Sequence, residues 1–209
     1  MNPINRYVQI VLVETSHPGN IGSVARAMKN MGLSNLALIN PKTFPHQEAT
    51  ALAGNAFDVL DNARVFDSIN EAIKDSKVIY ATSARDRTIE WPTLNVKEAV
   101  EEINQLVCED IEVSILFGRE DRGLTNEELQ LANKHLIIPA HPEYPVLNIA
   151  MSTQVICYEL FQAAQDIPAK KWQDFPEYTA EELNNLIDHF NETVSSLDLV
   201  DTDNPKQIM

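Results

Sequence analysis

Val113-Ser114-Ile115-Leu116-Phe117-Gly118-Arg119-Glu120-Asp121-Arg122-Gly123-Leu124 changes character at its middle. The first half is an apolar run of strand length, and the second sets four charges between two glycines. Charge of that density directly after a buried strand cannot be core. Open α/β sheets put their ligands there, at the carboxyl ends of strands. A second loop has the same logic. Ile137-Ile138-Pro139-Ala140-His141-Pro142-Glu143-Tyr144-Pro145 leaves an apolar run and leads into Val146-Leu147-Asn148-Ile149-Ala150.

Working outward, strand and helix patterns alternate. Residues 9–14 read as a buried strand, and Asn20 opens a helix carrying Ile21, Val24, Ala25, Met28 and Met31 on one face, with Gly32 as its stop signal. Strands are expected at 36–39, 59–66, 78–81, 113–117 and 136–138. Helices are expected at 47–55, 68–74, 96–107, 125–132 and 147–165. Ser68 with Glu71, and Thr125 with Glu128, have the spacing of capping boxes. The helix at 147–165 is apolar nearly all round its first three turns, which predicts burial. Such alternation implies an α/β domain with a mostly parallel sheet and helices on both faces. The domain is expected to span 1–165, followed by a linker at 166–178 and a helical extension at 179–209. That extension carries Leu183, Leu186, Ile187, Phe190, Val194 and Leu197 at helical spacing.

Net charge is −15 over 209 residues, which at first argues against a nucleic-acid partner, DNA included. The charge is uneven. Residues 1–165 hold 13 Lys+Arg and 21 Asp+Glu, residues 166–209 hold 3 and 10. Five of the seven arginines, Arg26, Arg85, Arg87, Arg119 and Arg122, fall in or just after loops that follow expected strands. A planar guanidinium suits phosphate and carboxylate, so an anion site is one reading and local pairing with Glu120, Asp121 and Asp86 is the other. Cys108 and Cys157 have neither Cys-x-x-Cys spacing nor a histidine partner, so no zinc site and no disulfide framework is expected. No apolar run approaches ~20 residues, so no membrane span is expected. The expected location is the cytoplasm.

The loop Thr15-Ser16-His17-Pro18-Gly19-Asn20 lacks both Gly-x-Gly-x-x-Gly and Gly-x-x-x-x-Gly-Lys-Ser/Thr, which speaks against NAD and ATP chemistry. The histidines show no metal pattern, and Ser83 and Ser152 lack a nucleophile elbow.

Three strings in order, Asn20-Ile-Gly-Ser-Val-Ala-Arg26, Phe117-Gly-Arg-Glu-x-x-Gly-Leu124, and Ile138-Pro followed by Leu147-Asn148, resemble the motifs of the SPOUT superfamily of RNA methyltransferases, in its TrmH-like branch. Val13-Glu-Thr-Ser-His-x-Gly-Asn20, Thr82-Ser-Ala-Arg85, Gly-Leu-Thr-Asn-Glu-Glu-Leu129 and Pro142-Glu-Tyr144 are similar to that branch's tRNA cytidine/uridine 2′-O-methyltransferases. The resemblance is dense over about residues 8–165.

It implies a deep C-terminal trefoil knot, whose loops hold S-adenosylmethionine and release S-adenosylhomocysteine. The matching cofactor residues here are Thr82, Ser83, Phe117, Gly118, Arg119, Glu120, Ile137, Ile138, Pro139, Val146, Leu147 and Asn148. It implies a homodimer packed through the knot helices, tRNA as substrate, and the pyrimidine ribose at nucleotide 32 as target. Arg26 and Asn148 match catalytic positions, and Asn20, Arg26, Arg85, Arg87 and Arg122 are the expected RNA contacts. No metal is implied. One departure stands out: the family carries Ser before Leu-Asn, and this chain has Val146. Members also continue past an Asn-Pro-Lys-x-Met string into an arginine-rich helical segment. Here Asn204-Pro205-Lys206-Gln207-Ile208-Met209 closes the sequence, so that segment is expected to be missing. Two rivals remain open: another tRNA or rRNA site within the superfamily, and a catalytically retired RNA-binding homologue.

Overall fold

The computed structural model describes residues 3–83, 91–164 and 180–197. The expected contacts Arg85 and Arg87, the expected linker at 166–178 and the first residue of the expected extension, Thr179, lie outside the described residues. Contacts group the chain into two units, Met1–Ile167 and Pro168–Met209. In the first, α1 (Pro3–Tyr7) leads into β1 (Val8–Val13), α2 (Pro18–Asn30), β2 (Leu36–Ile39), α3 (Gln47–Ala53), a 3-10 turn, α4 (Phe57–Asp61), β3 (Arg64–Phe66) and α5 (Ile69–Ile73). Then come β4 (Val78–Thr82), β5 (Thr93–Asn95), α6 (Val96–Cys108), β6 (Val113–Phe117), α7 (Asn126–Leu129), β7 (Lys134–Ile137) and α8 (Ile149–Ala163). The second unit contributes α9 (Ala180–Ser196), on which Leu186, Ile187 and Phe190 are exposed.

The strands form one sheet in the order β3-β2-β1-β6-β4-β7-β5. Every strand pairing in it is parallel. All six residues of β1 and all five of β6 are buried. Such strands read as continuous apolar runs because helices cover both faces. Side chains alternate across the sheet. Val8, Ile10 and Leu12 join the core beneath α2, α6 and α8, while Val11 and Val13 join the smaller core with α5 and Leu129 of α7.

Helix α2 sets the frame. Pro18 occupies its first turn, where the missing N–H costs nothing. At its far end Gly32 adopts φ +75°, its N–H donates to the Lys29 carbonyl at 3.0 Å, and the Leu33 N–H reaches the Met28 carbonyl at 2.9 Å. That pair of bonds is a Schellman termination, which needs a left-handed residue at the glycine. A Cβ on Gly22 would stand 2.1 Å from the Ala49 carbonyl oxygen, so the glycine is what lets α3 lie directly on α2.

Three expectations are corrected. Residues 59–66 are not one strand: Val59 and Leu60 close α4, and β3 is only Arg64–Phe66. A short apolar run has the same appearance in either element. The helix expected at 125–132 is the four residues of α7, although its capping box between Thr125 and Glu128 is present. The helix expected at 147–165 is α8, which begins at Ile149 and is not buried all round. Met151, Val155 and Tyr158 form an exposed stripe at spacings of four and three residues.

Candidate active site

A cleft of about 360 Å³ opens at the carboxyl ends of β4, β6 and β7. This is the crevice that an open parallel sheet offers to ligands. β4 supplies Thr82 and the following Ser83. β6 supplies Phe117 and then the whole charged loop 118–124. β7 supplies Leu136 and the following Ile138. Residues 144–149 and Ser152 close the remaining side.

The charged loop is rigid for local reasons. Arg119 and Gly123 exchange both backbone hydrogen bonds, at 3.2 and 2.9 Å, with Gly123 at φ +71°. Gly118 cannot carry a side chain: a Cβ there would stand 2.2 Å from the Gly123 carbonyl carbon. The Arg119 guanidinium is engaged by two carboxylates. Its Nε donates to Glu14 at 2.7 Å, and its two terminal nitrogens form a fork on Glu128 at 2.8 and 2.9 Å. Both carboxylates hold it above its ordinary pKa, Glu14 foremost. The same bond from Arg119 lowers the pKa of Glu14. Thus β1, β6 and α7 are tied together behind the loop.

Glu120 ties the loop to α2. One carboxylate oxygen accepts from the Ser16 N–H at 3.1 Å and the Ser16 hydroxyl at 3.0 Å. The other accepts from the His17 N–H at 3.3 Å and from Asn20 Nδ2 at 2.9 Å. Burial alone would raise the Glu120 pKa. The bonds from Asn20 and Ser16, together with a backbone bond of its own, outweigh burial and bring it to about 2. With its Nδ2 given to Glu120, Asn20 turns its Oδ1 to Asn148, whose Nδ2 donates at 3.2 Å. Asn148 Oδ1 accepts the Ala150 N–H at 2.8 Å and so caps α8. One N–H and one lone pair of the Asn148 amide remain for other partners. The three motif segments therefore meet in one chain of hydrogen bonds, Glu120–Asn20–Asn148.

Other expected residues fall differently. Ile138 faces the cleft, whereas Ile137 and Pro139 are not among its lining. Alternation along extended backbone turns neighbours to opposite sides. The Thr82 hydroxyl donates to the Leu116 carbonyl at 2.9 Å, so it serves the sheet. Val146 lines the cleft and is 50% exposed. Arg122 lines it and is loosely held, with Glu14 at 3.9 Å. Arg26 is exposed on α2, outside the cleft lining. Among the residues missed from sequence, Ser152 sits four residues after Asn148 on the same face of α8, a spacing that could have found it. Asp121, Leu124, Leu129 and Tyr144 also line the cleft. Leu129 belongs to a string that carries the resemblance, but its place in the cleft lining comes from the position of α7 in the fold.

Residues 7–158 match the model of the SpoU rRNA Methylase family. A curated relative, the tRNA (cytidine/uridine/adenosine-2′-O-)-methyltransferase TrmJ of Pseudomonas aeruginosa, is 44% identical over 97% of this chain and 82% of its own length. Among solved structures, a probable methylase family protein from Haemophilus influenzae has a TM-score of 0.72 at 40% identity, covering 93% of this chain and 82% of that one. TrmJ from Z. mobilis has a TM-score of 0.70 at 32% identity, covering 91% and 80%. The chain belongs to the SpoU methylase family of RNA methyltransferases.

Proposed function

We propose that this chain is an S-adenosylmethionine-dependent tRNA 2′-O-ribose methyltransferase, acting as a cytoplasmic homodimer on the pyrimidine nucleotide 32 of the anticodon loop. The observation that carries the reading is the convergence of three distant motif segments on one cleft, joined through Glu120, Asn20 and Asn148. The tRNA 2′-O-specificity is drawn from the relatives' names. The deep trefoil knot belongs to the same reading. It is supported by the meeting of residues 82–83, 118–124 and 144–149 around one opening.

The cleft fits the cofactor chemically. Leu124, Leu136, Ile138 and Ile149 give apolar walls, while Asn148, Ser152, Asp121 and Arg122 give a few convergent polar groups. Thr82, Ser83, Phe117, Gly118, Ile138, Val146 and Leu147 would hold it. Arg119 and Glu120 act behind them, through their side-chain bonds. When bound, the sulfonium supplies an electrophilic methyl group. The chain's own work is to orient the ribose hydroxyl and manage its proton. A guanidinium is a hydrogen-bond donor and no acceptor, so Arg26 is read as a binding group and not as a free base. From its exposed position on α2 it grips a phosphate beside the target ribose and stabilises the forming alkoxide, which contributes roughly 1.5–3 kcal/mol. Asn148, with one N–H still available, positions the hydroxyl. The stripe Met151, Val155 and Tyr158 is the surface through which two subunits would pack.

Transfer of labelled methyl from S-adenosylmethionine to unmodified tRNA transcripts, with the product nucleotide mapped, tests the reading. Label on the 2′-oxygen of nucleotide 32 is the expected result. Label elsewhere assigns another RNA site, and cofactor binding without any transfer points to a retired homologue. Arg26→Ala should abolish turnover with cofactor affinity intact. Full activity in that variant rules out its role.

A further inference from the structure

Tyr144 is 82% exposed, the largest exposure among the large apolar and aromatic side chains of the described residues. It lies on the rim of the cleft beside Val146, itself half exposed. Scattered exposed apolar residues are ordinary. This one is presented on stiffened backbone. The Tyr144 N–H donates to the His141 carbonyl at 3.0 Å, and the Glu143 N–H donates to His141 Nδ1 at 3.3 Å. Pro142 lies within the turn and Pro145 directly after it, and each ring fixes its own φ. The His141 imidazole thus acts as the cap of a turn that holds the ring away from the protein. A tyrosine has few side-chain torsions to freeze, so its ordering on contact costs little.

The same rim carries a cation with spare capacity. Arg122 lines the cleft with its side chain 64% exposed, and its Glu14 contact at 3.9 Å lies beyond hydrogen-bond distance. An open aromatic face and an available guanidinium on the lining of one cleft are nucleotide chemistry. The ring stacks on a base and the arginine takes a phosphate.

We propose that Tyr144 is a stacking platform for an RNA base next to the ribose presented at the cleft, and that Arg122 holds the phosphate of the same strand. The assignment rests on the RNA 2′-O-methyltransferase reading above. Every base has a π face, so the platform strengthens binding without choosing the base.

Single-turnover methylation across a range of tRNA concentrations, for Tyr144→Ala, Tyr144→Phe and Tyr144→Trp, tests it. Alanine should weaken the half-saturating tRNA concentration about 5- to 150-fold, the range typical of lost base stacking. Turnover at saturation and S-adenosylmethionine affinity by calorimetry should be little changed. Phe and Trp should restore what Ala loses. Four results overturn the proposal. They are unchanged tRNA affinity in the Ala variant, loss in Phe equal to that in Ala, a fall in cofactor affinity in place of tRNA affinity, and a shift to a smaller species in sedimentation. The last two would put the ring on the cofactor or at a subunit contact. If the wild-type protein transfers no methyl to tRNA, the enzymatic reading fails. Filter binding of tRNA by wild type against Tyr144→Ala then still decides the stacking.

Discussion

Replacing Arg119 by Met keeps the length of the side chain and removes its charge. The perturbation strands two carboxylates. The Arg119 side chain is 8% exposed and that of Glu128 is 15% exposed, so the fork between them is largely desolvated. Removing one member of a buried pair costs roughly 3–5 kcal/mol, because the remaining charge stays buried without a partner. Glu14 is 37% exposed and regains water, so its share is only the roughly 0–1 kcal/mol of a surface pair. The expected total is about 3–5 kcal/mol. At roughly 2–4 °C per kcal/mol for a chain of this size, thermal melting followed by circular dichroism should show a fall in Tm of about 6–20 °C. Glu128→Gln should cost less. Combining both changes should cost less than their sum, since no orphan charge then remains. Cofactor affinity should weaken with Arg119→Met and also with Glu128→Gln, although Glu128 is not part of the cleft lining. A loss under about 1 kcal/mol would refute the buried-fork argument. Cofactor binding lost with Arg119→Met but untouched by Glu128→Gln would show instead that the guanidinium contacts the cofactor directly.

The remaining predictions are more local. The Glu120 pKa falls from an ordinary 4.5 to about 2 in the fold. Its contribution is therefore present above about pH 4.5 and lost as pH drops toward about 2. After allowance for partial exposure it amounts to about 1–2 kcal/mol. Urea midpoints at pH 5 and pH 3 should accordingly fall further for the wild type than for Glu120→Gln, and equal acid slopes would contradict the assignment. Gly22→Ala drives a methyl group against the Ala49 backbone at 2.1 Å and should cost roughly 1–2 kcal/mol net, despite the better helix propensity of alanine. A raised Tm in that variant would mean that α3 moves away freely.

Some of this was legible in the sequence because the cause was local. The apolar runs of β1 and β6, the terminating Gly32, the Ser68 cap, the box at Thr125, and the charged loop between Gly118 and Gly123 are each dictated within a few residues. Alternation of strand and helix fixed the class as α/β, and ordered motif strings pointed to the family. Where one short apolar run served either element, as at Val59–Leu60, the sequence was silent.

What the sequence could not decide was which polar groups meet. Arg119 lines the cleft, and its side chain bonds to Glu14 and Glu128, residues 105 positions before and 9 after it. Glu120 reaches back 100 positions to Asn20, and Asn20 reaches forward 128 to Asn148. Such pairs exist because β6 lies beside β1 in the sheet and α8 packs on α2. Strand order is a property of the folded core and no local propensity encodes it. Residue types and loop positions thus came from the chain itself. The bonds that tie these residues to one another across the chain came from tertiary structure alone.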